Sequence, residues 1–122
     1  MSNGITHEQY VASVRHRVAA IADGMLSGEV NFLEGAIVLA SLRHEAEVGE
    51  SDPDFMTFIV IASETDYLPI GPSRELWSKE ASLRHQPRID ASTAWAKQIG
   101  NASCQSLLER FNAYPPLIQP GP

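Results

Sequence analysis

Glu64, Asp66 and Tyr67, followed by Arg74 and Trp77, are the densest run of chemically capable side chains in this chain. Two carboxylates, a phenol and a guanidinium are the parts of a general acid/base pair or a metal site, since that work needs carboxylates held in different environments. They also have a purely structural use. Ser63, Thr65 and Asp66 are ordinary helix-end and turn residues, Arg74 is placed to pair with Glu64 or Asp66, and Trp77 to pack beneath the loop. Polar groups at element ends usually serve the backbone in this way.

The run closes a longer acidic window. Between His44 and Ser73 lie seven acids, Glu45, Glu47, Glu50, Asp52, Asp54, Glu64 and Asp66, with no Lys or Arg, against a net charge of −6 for the whole chain. A one-signed patch steers oppositely charged molecules and repels nucleic acid. Glu45, Glu47 and Glu50 are expected toward the C-terminal end of a helix, where the dipole disfavours exposed anions by at most about a few tenths of a kcal/mol each. A small penalty repeated three times, next to Asp52 and Asp54, points to charge that serves a partner. The expected partner-binding residues are Glu45, Glu47, Asp52, Asp54, Glu64, Asp66 and Tyr67.

Other constellations compete with simpler readings. Ala12-Ser13-Val14-Arg15-His16, Ala40-Ser41-Leu42-Arg43-His44 and Ala81-Ser82-Leu83-Arg84-His85 are near copies at unequal intervals, which excludes a solenoid. Three Arg-His pairs converging on a phosphate would suit a metal-independent nuclease with a histidine proton shuttle, whereas short helical strings also recur by composition alone. His7-Glu8 and His44-Glu45 are adjacent pairs, and adjacent helical residues point about 100° apart, unlike an i, i+4 ligand pair. His44, Glu64 and Asp66 form a His/carboxylate site only if the fold brings them together. Cys104 is expected to be a small core residue rather than a nucleophile. No catalytic residue, metal or cofactor is assigned.

Composition sets the class. The 122 residues suit one domain, able to bury roughly two-thirds of its unfolded surface. One cysteine permits no internal disulfide and no structural zinc, consistent with a reduced, cytoplasmic setting. The polar N-terminus is unlike a signal peptide, and the most apolar run, Phe55 to Ala62, is far below the roughly 20 residues that span a bilayer. Acidic balance argues against nucleic-acid binding, which needs many phosphate neutralisations.

Helical periodicity positions these residues. Val11, Val14, Val18, Ile21 and Met25 follow 3,4 spacing behind a Thr6/Gln9 capping box, predicting a helix over 7–26 that Gly28 ends. A second, central helix starts at Asn31 with Glu34 three residues on, and runs through Leu42. Asp52 and Pro53 read as N-cap and N1 of a third, with Phe55, Phe58, Ile59 and Ala62 on one face. Phe58 to Ile61 is β-branched enough to pass for a short strand, and the Asp-Pro start favours helix. Leu68 to Pro72 marks a turn or loop. A last helical region starts after Ser78, is broken or kinked at Pro87, and continues over 88–111 with Ile89, Ala96, Ile99, Leu107 and Phe111 near one stripe. The expected fold is all-α, four to five helices in a compact bundle or orthogonal array, forming a single domain over 1–113 with an extended Pro-rich tail over 114–122.

Glu34-Gly35-Ala36, Leu42-Arg43-His44-Glu45, Asp52-Pro53-Asp54-Phe55, Phe58-Ile59, Ser63-Glu64-Thr65-Asp66, Leu68-Pro69 and Arg74 with Trp77 together resemble a family of small bacterial proteins of unknown function, over about residues 31–78. That resemblance supplies no catalytic residues. In size, charge and helical character the chain is also similar to the immunity proteins of contact-dependent growth inhibition systems, which implies a cytoplasmic toxin inhibitor. The expectation is therefore a toxin-neutralising protein that docks an acidic surface on a basic toxin domain, a nuclease among the candidates, without nucleic acid or membrane. The alternatives are a metal- or His-dependent hydrolase or nuclease, and a helical assembly subunit; oligomeric state is not readable.

Overall fold

The computed structural model describes residues 6–68 and 78–112. Among them are four α-helices: α1 (His7–Ser27), α2 (Phe32–Ser41), α3 (Pro53–Glu64) and α4 (Lys79–Asn112), with no strand. The all-α expectation holds. None of these helices is long and apolar enough to cross a membrane.

Local chemistry sets the helix starts. The Thr6 hydroxyl accepts the Gln9 amide at 3.1 Å while the Gln9 side chain accepts the Thr6 amide at 2.9 Å, completing the capping box. Asn31 accepts the Glu34 amide, Asp52 accepts those of Asp54 and Phe55, and the Ser78 hydroxyl accepts that of Ala81. Gly28 closes α1 at φ 91°, a left-handed conformation that glycine adopts without steric cost.

The helices bury one shared core. Val18, Ala22 and Met25 of α1 meet Phe32, Leu33, Ala36 and Leu39 of α2, Phe55, Phe58 and Ile61 of α3, and Ile89, Ala96, Cys104, Leu107 and Phe111 of α4. Each large side chain so buried contributes roughly 1.5–3 kcal/mol. α1 packs mainly on α4, and α2 on α3. α3 and α4 lie antiparallel: Ser106 bonds to Asp54, Ser103 to Thr57, and Gly100 faces Ile61. A Cβ on Gly100 would stand 3.1 Å from the Phe32 ring and 3.2 Å from Ile61, so the missing side chain is what lets α4 approach so closely.

Four expectations change in detail. Pro87 does not break the last helix, which runs unbroken over 34 residues. Its missing N–H frees the Leu83 carbonyl, but Leu83, Arg84, Pro87 and Arg88 are all exposed, so that group is open to solvent, while the buried stripe from Ile89 onward holds the register. Ile99 is 39% exposed, and Gly100, Ser103 and Cys104 take the inward positions, because small residues are needed where α3 crosses. On α3 the fully buried residues are Phe55, Phe58 and Ile61, with Ile59 and Ala62 half-buried. α2 ends at Ser41, so Glu45, Glu47 and Glu50 lie in the turns that follow it. Leu68 is buried as the chain leaves α3; the loop expected through Pro72, together with Arg74, Trp77 and the 114–122 tail, falls outside the described residues.

Candidate functional site

The acidic window divides between the two ends of α3, whose twelve residues span about 18 Å. At the N-terminal end the carboxylates are engaged. Arg110, near the end of α4, donates to Asp52 Oδ2 at 2.7 Å, to Asp52 Oδ1 at 3.1 Å and to Asp54 Oδ2 at 2.8 Å, and the Ser106 hydroxyl donates to Asp54 at 2.6 Å. Partial burial pushes the Asp52 carboxyl up, but the Arg110 guanidinium and the Phe55 and Asp54 amides outweigh it, so Asp52 titrates below its ordinary range. The hydrogen bond to Asp52, with that to Asp54, raises Arg110 against a smaller opposing effect of burial. Arg110 also stacks on Phe111, 4.9 Å from the ring centre. The result is a clamp between α3 and α4 that joins residues more than fifty positions apart in sequence.

Beside this clamp, the turns after α2 are held by the start of α1. Tyr10 donates to Glu45, and His7 Nε2 meets Glu47 Oε2 at 2.5 Å. The bond to Glu45 raises the Tyr10 pKa, because the phenol must stay protonated to donate it. Arg15 donates to the carbonyls of Ala46 at 2.8 Å and Glu47 at 3.2 Å. Glu47 has φ 54°, a left-handed conformation uncommon outside glycine, and these contacts fix it there. Arg43 donates to the Glu50 carbonyl and lies against His44.

The three Arg-His copies do not converge: Arg15 lies over the Phe111 ring, and Arg84 precedes Phe111 by twenty-seven helical residues, about 40 Å along α4. Nor do His44, Glu64 and Asp66, since His44 belongs to the turns at one end of α3 and the two acids to the other. No group of three or more potential metal ligands occurs among the described residues. Cys104 is fully buried, as expected; burial, with the nearby Asp54 charge, pushes its thiol up to about 12.

At the C-terminal end of α3 the acids point elsewhere. The Thr65 hydroxyl and amide both donate to the Ile61 carbonyl, at 2.7 and 3.1 Å, and the amide of buried Leu68 donates to Thr65 at 3.1 Å. This pins the turn from inside and leaves Glu64, Asp66 and Tyr67 exposed, their side chains making no hydrogen bond or ion pair to any described residue. Glu64 occupies the last turn of α3, where no basic residue offsets the negative end of the helix dipole. Between this turn and α4 is an open hollow of about 260 Å³ lined by Glu64, Thr65, Tyr67, Ala91, Ser92 and Trp95.

An apolar band adjoins the hollow. Met56 and Val60, 40% and 43% exposed, are one turn apart on the side of α3 opposite Phe58, and Ile99 is on the flank of α4 that faces α3. The structure thus brings Glu64, Asp66 and Tyr67 together, and places Asp52 and Asp54, and Glu45 and Glu47, at the opposite end. Sequence reasoning missed Met56, Val60, Ile99 and Trp95. The first two carried a signal in their i, i+4 spacing on the polar side of the helix, whereas Trp95 carried none until α4 was placed.

Comparison with known proteins adds no neighbour: no family model, no curated protein and no solved structure matches the chain, and the resemblances above rest on its motifs and character alone.

Proposed function

We propose that this chain is a cytoplasmic binding protein that inhibits a basic protein domain, in the manner of a toxin-neutralising immunity protein, and that the outer face of α3 with the adjoining flank of α4 is where it docks. The observation that carries this reading is the contrast in pairing within the acidic window. Asp52 and Asp54 are consumed by Arg110, and Glu45 and Glu47 by α1, while Glu64 and Asp66 have no described partner and lie beside exposed Tyr67 and the Met56, Val60 and Ile99 band. Apolar anchors rimmed by one sign of charge are the composition of a protein-recognition patch: the anchors supply affinity, and the charge supplies encounter rate and selectivity for a cationic surface. An acidic face of this kind suits a nuclease-type cleft built to hold phosphate.

The test is co-expression with the product of the neighbouring gene, followed by affinity measurement at low and high salt. Asp66→Lys and Val60→Glu should each weaken the complex by about tenfold or more, and added salt should weaken the wild-type complex further. Glu45→Gln should leave it unchanged. Binding indifferent to Asp66→Lys and Val60→Glu would remove this face from the account.

A further inference from the structure

Resting on the reading of this face as a docking surface, we propose that the hollow between α3 and α4 is a guanidinium site, which receives an arginine side chain of the basic partner. Its volume, about 260 Å³, is under the roughly 300–1,000 Å³ typical of small-molecule pockets, a size for one inserted side chain rather than a cofactor. Tyr67 and Trp95 border it with two aromatic rings, and small residues, Ala91 and Ser92, leave the α4 side open. Two sources of negative potential meet there, the Glu64 carboxylate and the uncompensated C-terminal end of the α3 dipole, and exposed Asp66 follows on the same turn.

A planar cation that stacks on aromatic rings while donating paired N–H groups to a carboxylate satisfies every one of these features. Arginine does this; lysine, a compact and strongly hydrated point charge, cannot stack and pair in the same pose. Thr65 does not compete for the ligand, because its hydroxyl is already committed to the Ile61 carbonyl. Glu64 likewise has no described partner to displace.

The test uses intrinsic fluorescence. The chain has two tryptophans, so Trp77→Phe leaves Trp95 as the only reporter. In that background, a capped triarginine peptide should produce a saturable change in Trp95 emission, and capped trilysine of equal charge should bind at least about fivefold more weakly. Glu64→Gln should raise the triarginine midpoint by about tenfold, and Tyr67→Ala, at a side chain 49% exposed, by about threefold or more. Glu50→Gln, the same charge change at the other end of α3, should shift it less than about twofold.

Equal binding of trilysine, or a Glu50→Gln effect as large as that of Glu64→Gln, would reduce the signal to unspecific charge attraction and overturn the site. A marked gain in triarginine affinity on Arg74→Ala would identify the chain's own Arg74 as the occupant and overturn the assignment to a partner. The peptide titration contains no partner protein, so the two readings fail separately. A Glu64-dependent triarginine response stands even if no basic partner binds, and a partner complex sensitive to Val60→Glu but indifferent to Tyr67→Ala and Glu64→Gln would sink the hollow alone.

Discussion

The two ends of α3 carry acids of the same kind and use them in opposite ways. At the N-terminal end, Asp52 and Asp54 sit where the helix dipole favours them and grip Arg110 of α4, and Asp52 also caps the backbone. At the C-terminal end, Glu64 sits where the dipole opposes it, Asp66 follows, and no described cation answers either. One end is therefore internal architecture, and the other is charge held out to solvent. Proximity in sequence groups residues by composition, while pairing separates them by role.

The sharpest way to break this contrast is to remove the cap. Asp52→Ala loses both the N-cap, worth about 1 kcal/mol, and the bidentate hold on Arg110, so a loss of about 2–3 kcal/mol in denaturant unfolding is expected. A change below about 0.5 kcal/mol would mean that the clamp is ornamental. Arg110→Ala should cost about 1–2 kcal/mol, less because its side chain is 36% exposed, with part of the loss coming from the Phe111 stack.

Acid titration sharpens the same point. The Asp52 carboxyl is depressed in the folded state, so its contribution is fully present above the unfolded value of about 3.9 and disappears as pH falls through the lower folded value. Wild-type stability should therefore fall in acid below about pH 4 more steeply than that of Asp52→Asn; parallel curves would assign the acid sensitivity to other groups.

Glu47→Gly is a smaller probe. Glycine accepts φ 54° without strain, so relief of the backbone should offset the loss of an exposed pair with His7, leaving stability unchanged or raised by up to about 1 kcal/mol. A clear loss would show that the Glu47 side chain, rather than the Arg15 contact to its carbonyl, fixes the turn. Smallest of all, Glu64→Ala and Asp66→Ala should shift stability by less than about 0.5 kcal/mol, because both side chains are exposed and neither bonds to a described residue.

What the sequence disclosed and what it hid follow one physical line. Thr6 with Gln9, Asn31, Asp52-Pro53 and Ser78 all marked their helix starts correctly, because capping is decided within four residues. Pro87 misled because the penalty for an interior proline depends on whether water reaches the freed carbonyl, a property of the tertiary surface. Ile99 misled because the close crossing at Gly100 demanded small residues inward, and that crossing is made by Phe32 and Ile61 from distant segments. The candidate site was half legible: Glu64, Asp66 and Tyr67 stood out by type, but the side chains that pair with Asp52, Asp54, Glu45 and Glu47 within the fold lie thirty-five to fifty-eight residues away. Nothing local in the chain points to Arg110 as the partner of Asp52 and Asp54.

The most direct measurement is the affinity of the proposed basic partner for two double variants of equal charge, Glu64→Gln with Asp66→Asn and Glu45→Gln with Glu47→Gln, at one low ionic strength. The first should weaken the complex by about tenfold or more and the second by less than about twofold. Equal losses in both, or a larger loss in the second, would contradict the assignment of binding to the C-terminal end of α3.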